Sequence, residues 1–293
     1  MTYKIIEEDG KVRLEGIKDF EPSHIFECGQ CFRWNKEEDE SFTGVAKGRV
    51  INVLKDKDSI IFHNTNKEEF LNIWVDYFDL NRDYGIVKEN LEKMDVVMEK
   101  AIHYGTGIRI LNQDEWEILL SFIISSNRSI PLIKKSIESL CERYGEFLGK
   151  YRGKKYYDFP QLEALRDQSI EEIKESYTGY RAKYIVETVR MIEEREVELY
   201  HLKDLSTEKA KKELLKCSGV GPKVADCILL FSMGKFDAFP IDVWVRRIME
   251  YFYFPEGTTL KKIESFAKEH FKEEAGFAQQ YLFYYARELG IGK

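Results

Sequence analysis

The stretch LLKCSGVGPKVADCILLFSMGKFDAFPIDVWVRRIM, residues 214–249, carries more structural information than any other part of the chain. A basic amphipathic segment ends at Gly219-Val220-Gly221, and Pro222 is typical of the first position of a new helix. Two glycines around one apolar residue allow a tight turn, with Val220 directed into the core. The pattern predicts two helices joined by a hairpin, and the second helix would present unpaired amides to an anion such as a phosphate.

Two polar residues of this stretch stand at informative positions. Lys223 is predicted in the first turn of the second helix, where the helix dipole disfavours a cation. Asp242 follows Pro240 and is predicted at the N-cap of a third helix. An amine and a carboxylate placed in this way could act as a nucleophile and as a group that stabilises developing positive charge. The residues alone also allow a solvated or phosphate-binding lysine and an ordinary helix cap.

The composition indicates a folded protein with an uneven charge distribution. Apolar residues make up 43% of the chain and aromatic residues 14%, with six prolines. The net charge of −7 argues against a protein that coats nucleic acid, because binding of phosphates needs lysine and arginine. Residues 201–223 nevertheless contain six lysines and three acidic residues. One basic face on an acidic body suits an enzyme that grips a short length of duplex.

The sequence predicts a protein of the cell interior, either cytoplasmic or associated with the nucleoid. The longest nearly apolar runs, such as Ile118–Ile124, are far shorter than the ~20 residues that span a bilayer. The residues after Met1 lack the apolar core of a secretory signal. The five cysteines are therefore expected to be reduced thiols.

The order of elements predicts an α+β fold. An antiparallel sheet is expected from strands at 3–6, 12–14, 31–34, 42–45, 50–54 and 60–62. From Lys67 onward the apolar spacing becomes helical, with a buried central helix over 114–125 and a capping box at Ser169–Glu172. Further helices are predicted, almost without interruption, at 179–195, 207–217, 222–233, 243–252, 258–270 and 276–288. We divide the chain into a strand-rich lobe with helices, residues 1–110, and a helical body, residues 111–293.

The segments Gly219–Asp226 and Pro240–Val243 together resemble the helix-hairpin-helix, Gly/Pro-rich loop and aspartate signature of the DNA glycosylase superfamily. A lysine at the position of Lys223 marks the bifunctional members of that superfamily. Four further segments are similar to the branch of the 8-oxoguanine DNA glycosylases, in order and at suitable intervals. These segments are Cys28–Trp34, Ser125–Asn127, Gly179–Tyr184 and Ala275–Phe283. The resemblance covers about residues 25–287, which is nearly the whole chain.

The resemblance implies excision of 8-oxoguanine from duplex DNA. Lys223 would attack the sugar C1′ to form a Schiff base, Asp242 would stabilise the cationic sugar, and β-elimination would then nick the strand. The carbonyl of Gly29 would read the N7–H of the lesion. Cys227 and Phe283 would sandwich the flipped base. Gln279 would bind its pairing edge.

The same resemblance implies how the DNA is held. Asn127 would contact the estranged cytosine, Tyr180 would wedge into the stack and Arg181 would support the cytosine. The hairpin with Gly219 and Gly221 would bind the DNA backbone. The partner would be double-stranded DNA with an oxidised purine. No redox cofactor, catalytic metal, membrane or obligate protein partner is implied, and a monomer is expected.

Three positions depart from the pattern of the 8-oxoguanine glycosylases. Leu132 stands where the family often has a second arginine that reads cytosine, and Arg128 replaces a residue that is usually asparagine. Both changes predict weaker discrimination of the base opposite the lesion. Trp244 occupies a position where many relatives have a histidine that contacts phosphate, which puts that contact in doubt.

Two other functions are compatible with parts of the pattern. A monofunctional glycosylase for alkylated bases would use Asp242 to activate water, but those relatives lack a lysine at position 223. A non-catalytic helix-hairpin-helix module would need only the hairpin and the basic face. A metal site is not predicted: Cys28-x-x-Cys31 has zinc-like spacing, but no second pair of ligands follows it.

Overall fold

Six antiparallel strands form the N-terminal sheet in a computed structural model that describes residues 3–291. The strands are β1 (Lys4–Glu8), β2 (Lys11–Glu15), β3 (Trp34–Lys36), β4 (Phe42–Ala46), β5 (Arg49–Asp56) and β6 (Ser59–His63). Their order across the sheet is β1-β2-β6-β5-β4-β3. Phe26 and Trp34 stack at 3.9 Å between ring centroids inside the core of this lobe. The sheet and the helical body together confirm the predicted α+β class.

Helices make up most of the remaining chain. The α-helices are α1 (Pro22–Phe26), α2 (Lys67–Glu69), α3 (Val75–Tyr77), α4 (Tyr84–Glu92), α5 (Val96–Tyr104), α6 (Glu115–Ser125), α7 (Ile130–Tyr144), α8 (Leu162–Leu165), α9 (Ile170–Ile173), α10 (Arg181–Glu193), α11 (Thr207–Leu214), α12 (Pro222–Ser232), α13 (Val243–Phe252), α14 (Leu260–His270) and α15 (Ala275–Glu288). Two π-helical turns, Phe70–Trp74 and Lys174–Thr178, and two 3-10 helices, Leu199–Asp204 and Lys272–Glu274, complete the set.

The predicted buried central helix and the predicted capping box are both confirmed, at α6 and α9. Helix α6 is buried along its whole length except for two partly buried residues, as expected for the centre of the body. Asp114 caps it by accepting from the amides of Trp116 and Glu117. Ser169 and Glu172 form the reciprocal capping box that the sequence predicts at α9.

Two predictions on the path of the chain are wrong. Residues 31–33 are not a strand: Gly29 has φ +85°, and the chain enters the sheet only at Trp34. The body is also interrupted by a hairpin, β7 (Phe147–Tyr151) and β8 (Lys154–Tyr157). Its turn uses Arg152 and Gly153, both at positive φ, and its strands are half-exposed. The apolar alternation that reveals a hairpin in sequence is therefore missing.

The described residues form two hydrophobic cores, and the segment that follows the sheet contributes side chains to both. The smaller core contains the sheet, α1, residues 70–80 and Leu111. The larger core contains α4, α5 and the body, and α5 packs closely on α15. Residues 84–104 thus contribute to the core of the body, while Leu111 contributes to that of the lobe. The division at residue 110 stays a prediction.

Arg109 forms hydrogen bonds at the junction between the two cores. The residue is 4% exposed, and its guanidinium donates to three backbone carbonyls: Asp19 O at 2.7 Å, Asp79 O at 2.8 Å and Lys18 O at 3.2 Å. It also lies 4.4 Å from the ring centroid of Tyr84. Arg109 therefore supplies donors to three carbonyls at the junction, of which that of Asp79 also accepts from the amide of Arg82 at 3.3 Å.

We expect Arg109→Met to lower the free energy of unfolding by roughly 3 kcal/mol, because each carbonyl left without a donor costs about 1–3 kcal/mol and relaxation recovers part of the loss. Urea denaturation followed by circular dichroism measures the change. Arg190→Met is the matched control, since Arg190 is exposed and its nearest acidic partner, Glu194, is 3.8 Å away. Equal loss in both variants would contradict the role of Arg109.

Within residues 3–291, none of the helices has both the length and the apolar character that crossing a bilayer requires.

Candidate active site

The hairpin between α11 and α12 has the geometry that the glycines predict, but the two glycines serve different purposes. Gly219 has φ +79°, and a β-carbon there would meet the Tyr184 ring at 2.8 Å. Gly221 has φ −94°, and a β-carbon there would meet nothing within 4 Å. Val220 between them is buried. Gly219 is therefore required by the fold, whereas the open space at Gly221 leaves the backbone accessible to a ligand.

Lys223 is half-buried in the first turn of α12, directly after Pro222. Its ammonium lies 5.0 Å from the ring centroid of Phe122, on the central helix α6. One helical turn further, Cys227 is 3% exposed. Burial raises the pKa of the Cys227 thiol to about 11, although the neighbouring Lys223 acts in the opposite direction. Cys227 is thus a neutral thiol at pH 7 and presents a polarizable surface to the pocket.

Asp242 stands at the N-cap of α13, as predicted. Its Oδ1 accepts from the amide of Val245 at 2.7 Å. This bond fixes the orientation of the carboxylate and leaves the residue half-buried at the edge of the pocket. Pro240 precedes it and lines the same pocket. The cap is therefore both a structural feature and a means of aiming negative charge at the site.

A small pocket of about 60 Å³ brings together all six residues predicted for chemistry and base recognition. They are Gly29, Lys223, Cys227, Asp242, Gln279 and Phe283. An open groove of about 800 Å³ lies outside it and is lined by Asn127, Gly219 and Gly221. Lys223 and Asp242 line both spaces. The two groups therefore stand at the boundary between the pocket and the groove.

Gly29 forms one wall of the pocket through its backbone. A β-carbon at this position would lie 3.8 Å from Cε1 of Phe283, on the facing wall. Gln30 holds the loop: its side chain is fully buried, donates to Ile25 O and Arg109 O, and accepts from Leu111 N at 2.9 Å. These bonds fix the loop so that the backbone of Gly29 faces the space beside Phe283.

Helix α15 forms the facing wall. Gln279 is 5% exposed, and Phe283 lies one turn later on the same face of the helix. Gln280 also lines the pocket, and its Nε2 donates to Oε1 of Gln279 at 2.8 Å. An aromatic ring and two amides thus share one side of the pocket.

Asn127 lies in the groove immediately after α6, exposed and with φ +51°, a conformation that asparagine tolerates. Arg181 holds this turn from behind. Its Nε donates to Ser126 O at 3.0 Å and its Nη2 to Asn127 O at 3.2 Å. Because Arg181 is only 6% exposed, it supports the turn that presents Asn127.

Tyr180 is 55% exposed and precedes α10, and the guanidinium of Arg181 lies 4.3 Å from its ring centroid. Neither Tyr180 nor Arg181 lines the groove or the pocket. The packing of Arg181 links Tyr180 to the Asn127 turn. An exposed ring held in this way is suited to contact with a base stack.

The three departures from the family pattern also lie on or near this face. Leu132 is 48% exposed on α7. Arg128 lines the groove, and within residues 3–291 its Nη1 is buried without a hydrogen-bond partner. Trp244 is 43% exposed in the groove, and the guanidinium of Arg247 lies 5.5 Å from its ring centroid.

The structure adds four residues that motif reasoning did not assign to the site. Phe122 and Cys28 line the pocket, Gln30 holds the Gly29 loop and Gln280 pairs with Gln279. Cys28 and Gln30 belong to the segment Cys28–Trp34. The spacing of residues in that segment does not show which side chain lines the pocket and which one holds the loop. Phe122 lies on a helix that is buried on nearly all sides, so the sequence pattern does not separate residues of the pocket from residues of the core.

An ion pair supports α12 from the opposite side. Asp226 lies between Lys223 and Cys227 in sequence and is 7% exposed, and its carboxylate pairs with Lys211 of α11 at 2.8 Å. Lys211 also reaches Glu264 of α14 at 3.2 Å. Burial raises the pKa of Asp226 to about 6, and Lys211 opposes that rise. Lys211 thereby links both helices of the hairpin to α14.

Comparison with known proteins agrees with this architecture. Residues 14–119 match the family model of the 8-oxoguanine DNA glycosylase N-terminal domain. Residues 120–273 match that of the HhH-GPD superfamily base excision DNA repair proteins.

Individual relatives match along most of both chains. The solved structure of the Clostridium acetobutylicum 8-oxoguanine glycosylase/lyase, bound to double-stranded DNA with cytosine opposite 8-oxoguanine, is 46% identical, with a TM-score of 0.96 over 99% of this chain and 100% of that one. A probable N-glycosylase/DNA lyase of Methanothermobacter thermautotrophicus is 33% identical over 73% of this chain and 74% of its own. An N-glycosylase/DNA lyase of Arabidopsis thaliana is 30% identical over 88% of this chain and 75% of its own. The chain therefore belongs to the HhH-GPD superfamily of base excision DNA repair proteins, in the branch of the 8-oxoguanine DNA glycosylases.

Proposed function

We propose that this chain excises 8-oxoguanine from duplex DNA and then nicks the strand, with Lys223 as nucleophile and Asp242 as the stabilising carboxylate. The proposal rests on the position of these two groups, which line both the small pocket and the larger groove. The relatives named N-glycosylase/DNA lyase support both activities. The duplex in the Clostridium complex supports double-stranded DNA as the partner.

The base must leave the helix before it can react, because an enzyme cannot reach the target atoms of a base that is stacked inside a duplex. Stacking on Phe283 would recover about 1–3 kcal/mol of the cost of flipping. The flipped base would enter between the Gly29 loop and α15, which form facing walls of the pocket.

The proposed chemistry uses Lys223 in its free-amine form beside the Asp242 carboxylate, so the ammonium first loses a proton to solvent and the departing base takes one up. The lone pair of Lys223 Nζ forms a bond to C1′, and the C1′–N9 bond breaks with its electron pair leaving on the base. Asp242 stabilises positive charge on the sugar during this exchange. Loss of a proton from the nitrogen and opening of the sugar ring give a Schiff base. Removal of a proton from C2′ then expels the 3′ phosphate and nicks the strand.

Recognition of the lesion is assigned to both walls of the pocket. The carbonyl of Gly29 accepts from the N7–H that 8-oxoguanine has and guanine lacks. Gln279 binds the pairing edge, and Cys227 and Phe283 enclose the two faces of the base. On the DNA side, Asn127 contacts the estranged base, with Tyr180 in the stack and Arg181 behind the turn.

Product analysis on three duplexes tests the function. Duplexes with one 8-oxoguanine, one alkylated adenine or no lesion are incubated with the protein, and free base and cleaved strand are quantified separately. Release of 8-oxoguanine together with a nick is expected. Release of a base without a nick would favour the monofunctional glycosylase. Binding with neither product would favour the non-catalytic module.

We expect the excision rate of 8-oxoguanine to vary by less than about tenfold among duplexes with C, A, G or T opposite the lesion. An arginine bidentate to a base is worth about 1–3 kcal/mol of discrimination, and Leu132 cannot provide that contact. Single-turnover rates on the four duplexes measure the preference. A preference for cytosine far above tenfold would contradict the prediction and would point to Arg128 as a replacement reader.

A further inference from the structure

Gln280 is a buried residue of the base pocket to which the proposed chemistry gives no role. It is 3% exposed on α15 and lines the pocket beside Gln279. Since residues three and four positions apart share a face of a helix, Gln279 and Gln280 both lie one turn before Phe283. Both residues therefore line the pocket on the side of Phe283.

The hydrogen bonds of Gln280 leave one end of its amide unused. Its Nε2 donates to Oε1 of Gln279 at 2.8 Å, which fixes the orientation of both amides. In the part of the chain that the structure describes, its Oε1 is buried and has no hydrogen-bond partner. Buried acceptors without partners are rare because burial removes the water that would otherwise bond to them. Because Gln280 lines the base pocket, we take a ligand in that pocket as the source of the missing donor.

The free donors and acceptors of Gln279 and Gln280 complement the pairing edge of 8-oxoguanine. Gln279 Nε2 offers two N–H donors, Gln279 Oε1 has one lone pair left, and Gln280 Oε1 has both of its lone pairs. The pairing edge of 8-oxoguanine carries the acceptor O6, the donor N1–H and the donor 2-amino group, side by side. Gln279 alone matches O6 and N1–H. The remaining donor, the 2-amino group, matches the remaining acceptor.

We propose that Gln280 is a second reader of the flipped base, whose Oε1 accepts a hydrogen bond from the exocyclic 2-amino group. This role of Gln280 rests on the excision of 8-oxoguanine proposed above. It narrows the substrate class to 8-oxopurines that carry a 2-amino group. 8-Oxohypoxanthine lacks that group and otherwise presents the same edge. Its binding leaves Gln280 Oε1 buried and unpaired, which a pocket built around this bond discriminates against.

Single-turnover excision of the two bases tests this assignment. 8-Oxoguanine and 8-oxohypoxanthine are placed opposite cytosine in otherwise identical duplexes, and the ratio of their excision rates is measured for the wild type and for Gln280→Met. We expect the ratio to be at least about tenfold higher in the wild type, since methionine keeps the length of the side chain and removes the acceptor. Differences in flipping between the two duplexes cancel in this comparison.

Tyr281→Phe is the matched control. Tyr281 is the next residue of α15, its hydroxyl is also buried without a hydrogen-bond partner within residues 3–291, and it does not line the pocket. Removing this hydroxyl should leave the ratio at the wild-type value. If Gln280→Met fails to fold, Gln280→Ala takes its place, with thermal unfolding as the check.

The outcomes separate this assignment from the proposed function. Equal slowing of both substrates in the Gln280 variants, with an unchanged ratio, would mean that Gln280 only positions Gln279, and it would overturn the second reader while 8-oxoguanine excision stands. Failure of the wild type to release 8-oxoguanine would overturn the proposed function, and the second reader with it.

Discussion

Lys223→Gln is expected to abolish the covalent adduct that borohydride traps between the protein and a duplex with 8-oxoguanine opposite cytosine. The reduced Schiff base needs a primary amine, and Lys223 is the lysine that lines both the pocket and the groove. We also expect the single-turnover rate of base release to fall by at least about 10³-fold, because glutamine cannot form the bond to C1′. Denaturing electrophoresis of the trapped complex measures the adduct, and chromatography measures the base.

Lys216→Gln is the matched control for this variant. Lys216 belongs to the same basic segment, but its side chain is 52% exposed and pairs with Glu213 at 2.6 Å. It should be trapped as efficiently as the wild type. An adduct that persists in Lys223→Gln would assign the nucleophile to another amine. Loss of the adduct with undiminished base release would support activation of water by Asp242 instead.

Asp242→Asn is expected to lower the rate of base release by about 10²–10³-fold while leaving stability nearly unchanged. Asparagine caps a helix about as well as aspartate, so the bond from the Val245 amide can persist. The substitution removes the negative charge beside the sugar, and electrostatic stabilisation of this kind is commonly worth that factor. Single-turnover kinetics and thermal unfolding, measured on the same preparation, separate the two effects.

Asp83→Asn provides the comparison for the cap itself. Asp83 caps α4 through the amide of Gly85 at 2.9 Å and lines neither the pocket nor the groove. It should change neither the rate nor the unfolding temperature by more than a small amount. If Asp242→Asn lost stability together with activity, or kept full activity, Asp242 would be a structural cap and the carboxylate of the mechanism would lie elsewhere.

Local sequence signals were sufficient wherever neighbouring residues determine the conformation. The Gly219–Gly221 hairpin, the proline start of α12, the Asp242 cap and the Ser169 capping box all follow from dihedral preferences and orphan amides within one turn of chain. The same signals failed at residues 31–33 and at the β7–β8 hairpin. Next to residues 31–33, the path of the backbone is set by hydrogen bonds between the Gln30 side chain and distant residues. At the β7–β8 hairpin, the strands lack the alternation of apolar and polar residues that would reveal them in the sequence.

The sequence by itself determined the class of fold, the helix-hairpin-helix motif and, through resemblance, six residues that meet in the pocket. Only the tertiary structure decided how the walls are built. The pocket joins residues 28 and 29, 122, 223–245 and 279–283, segments that no local rule relates. Tertiary packing also left the Gln280 acceptor without a partner and turned Arg181 inward behind Asn127. Such outcomes depend on which groups burial deprives of water, and burial is set by the whole chain at once.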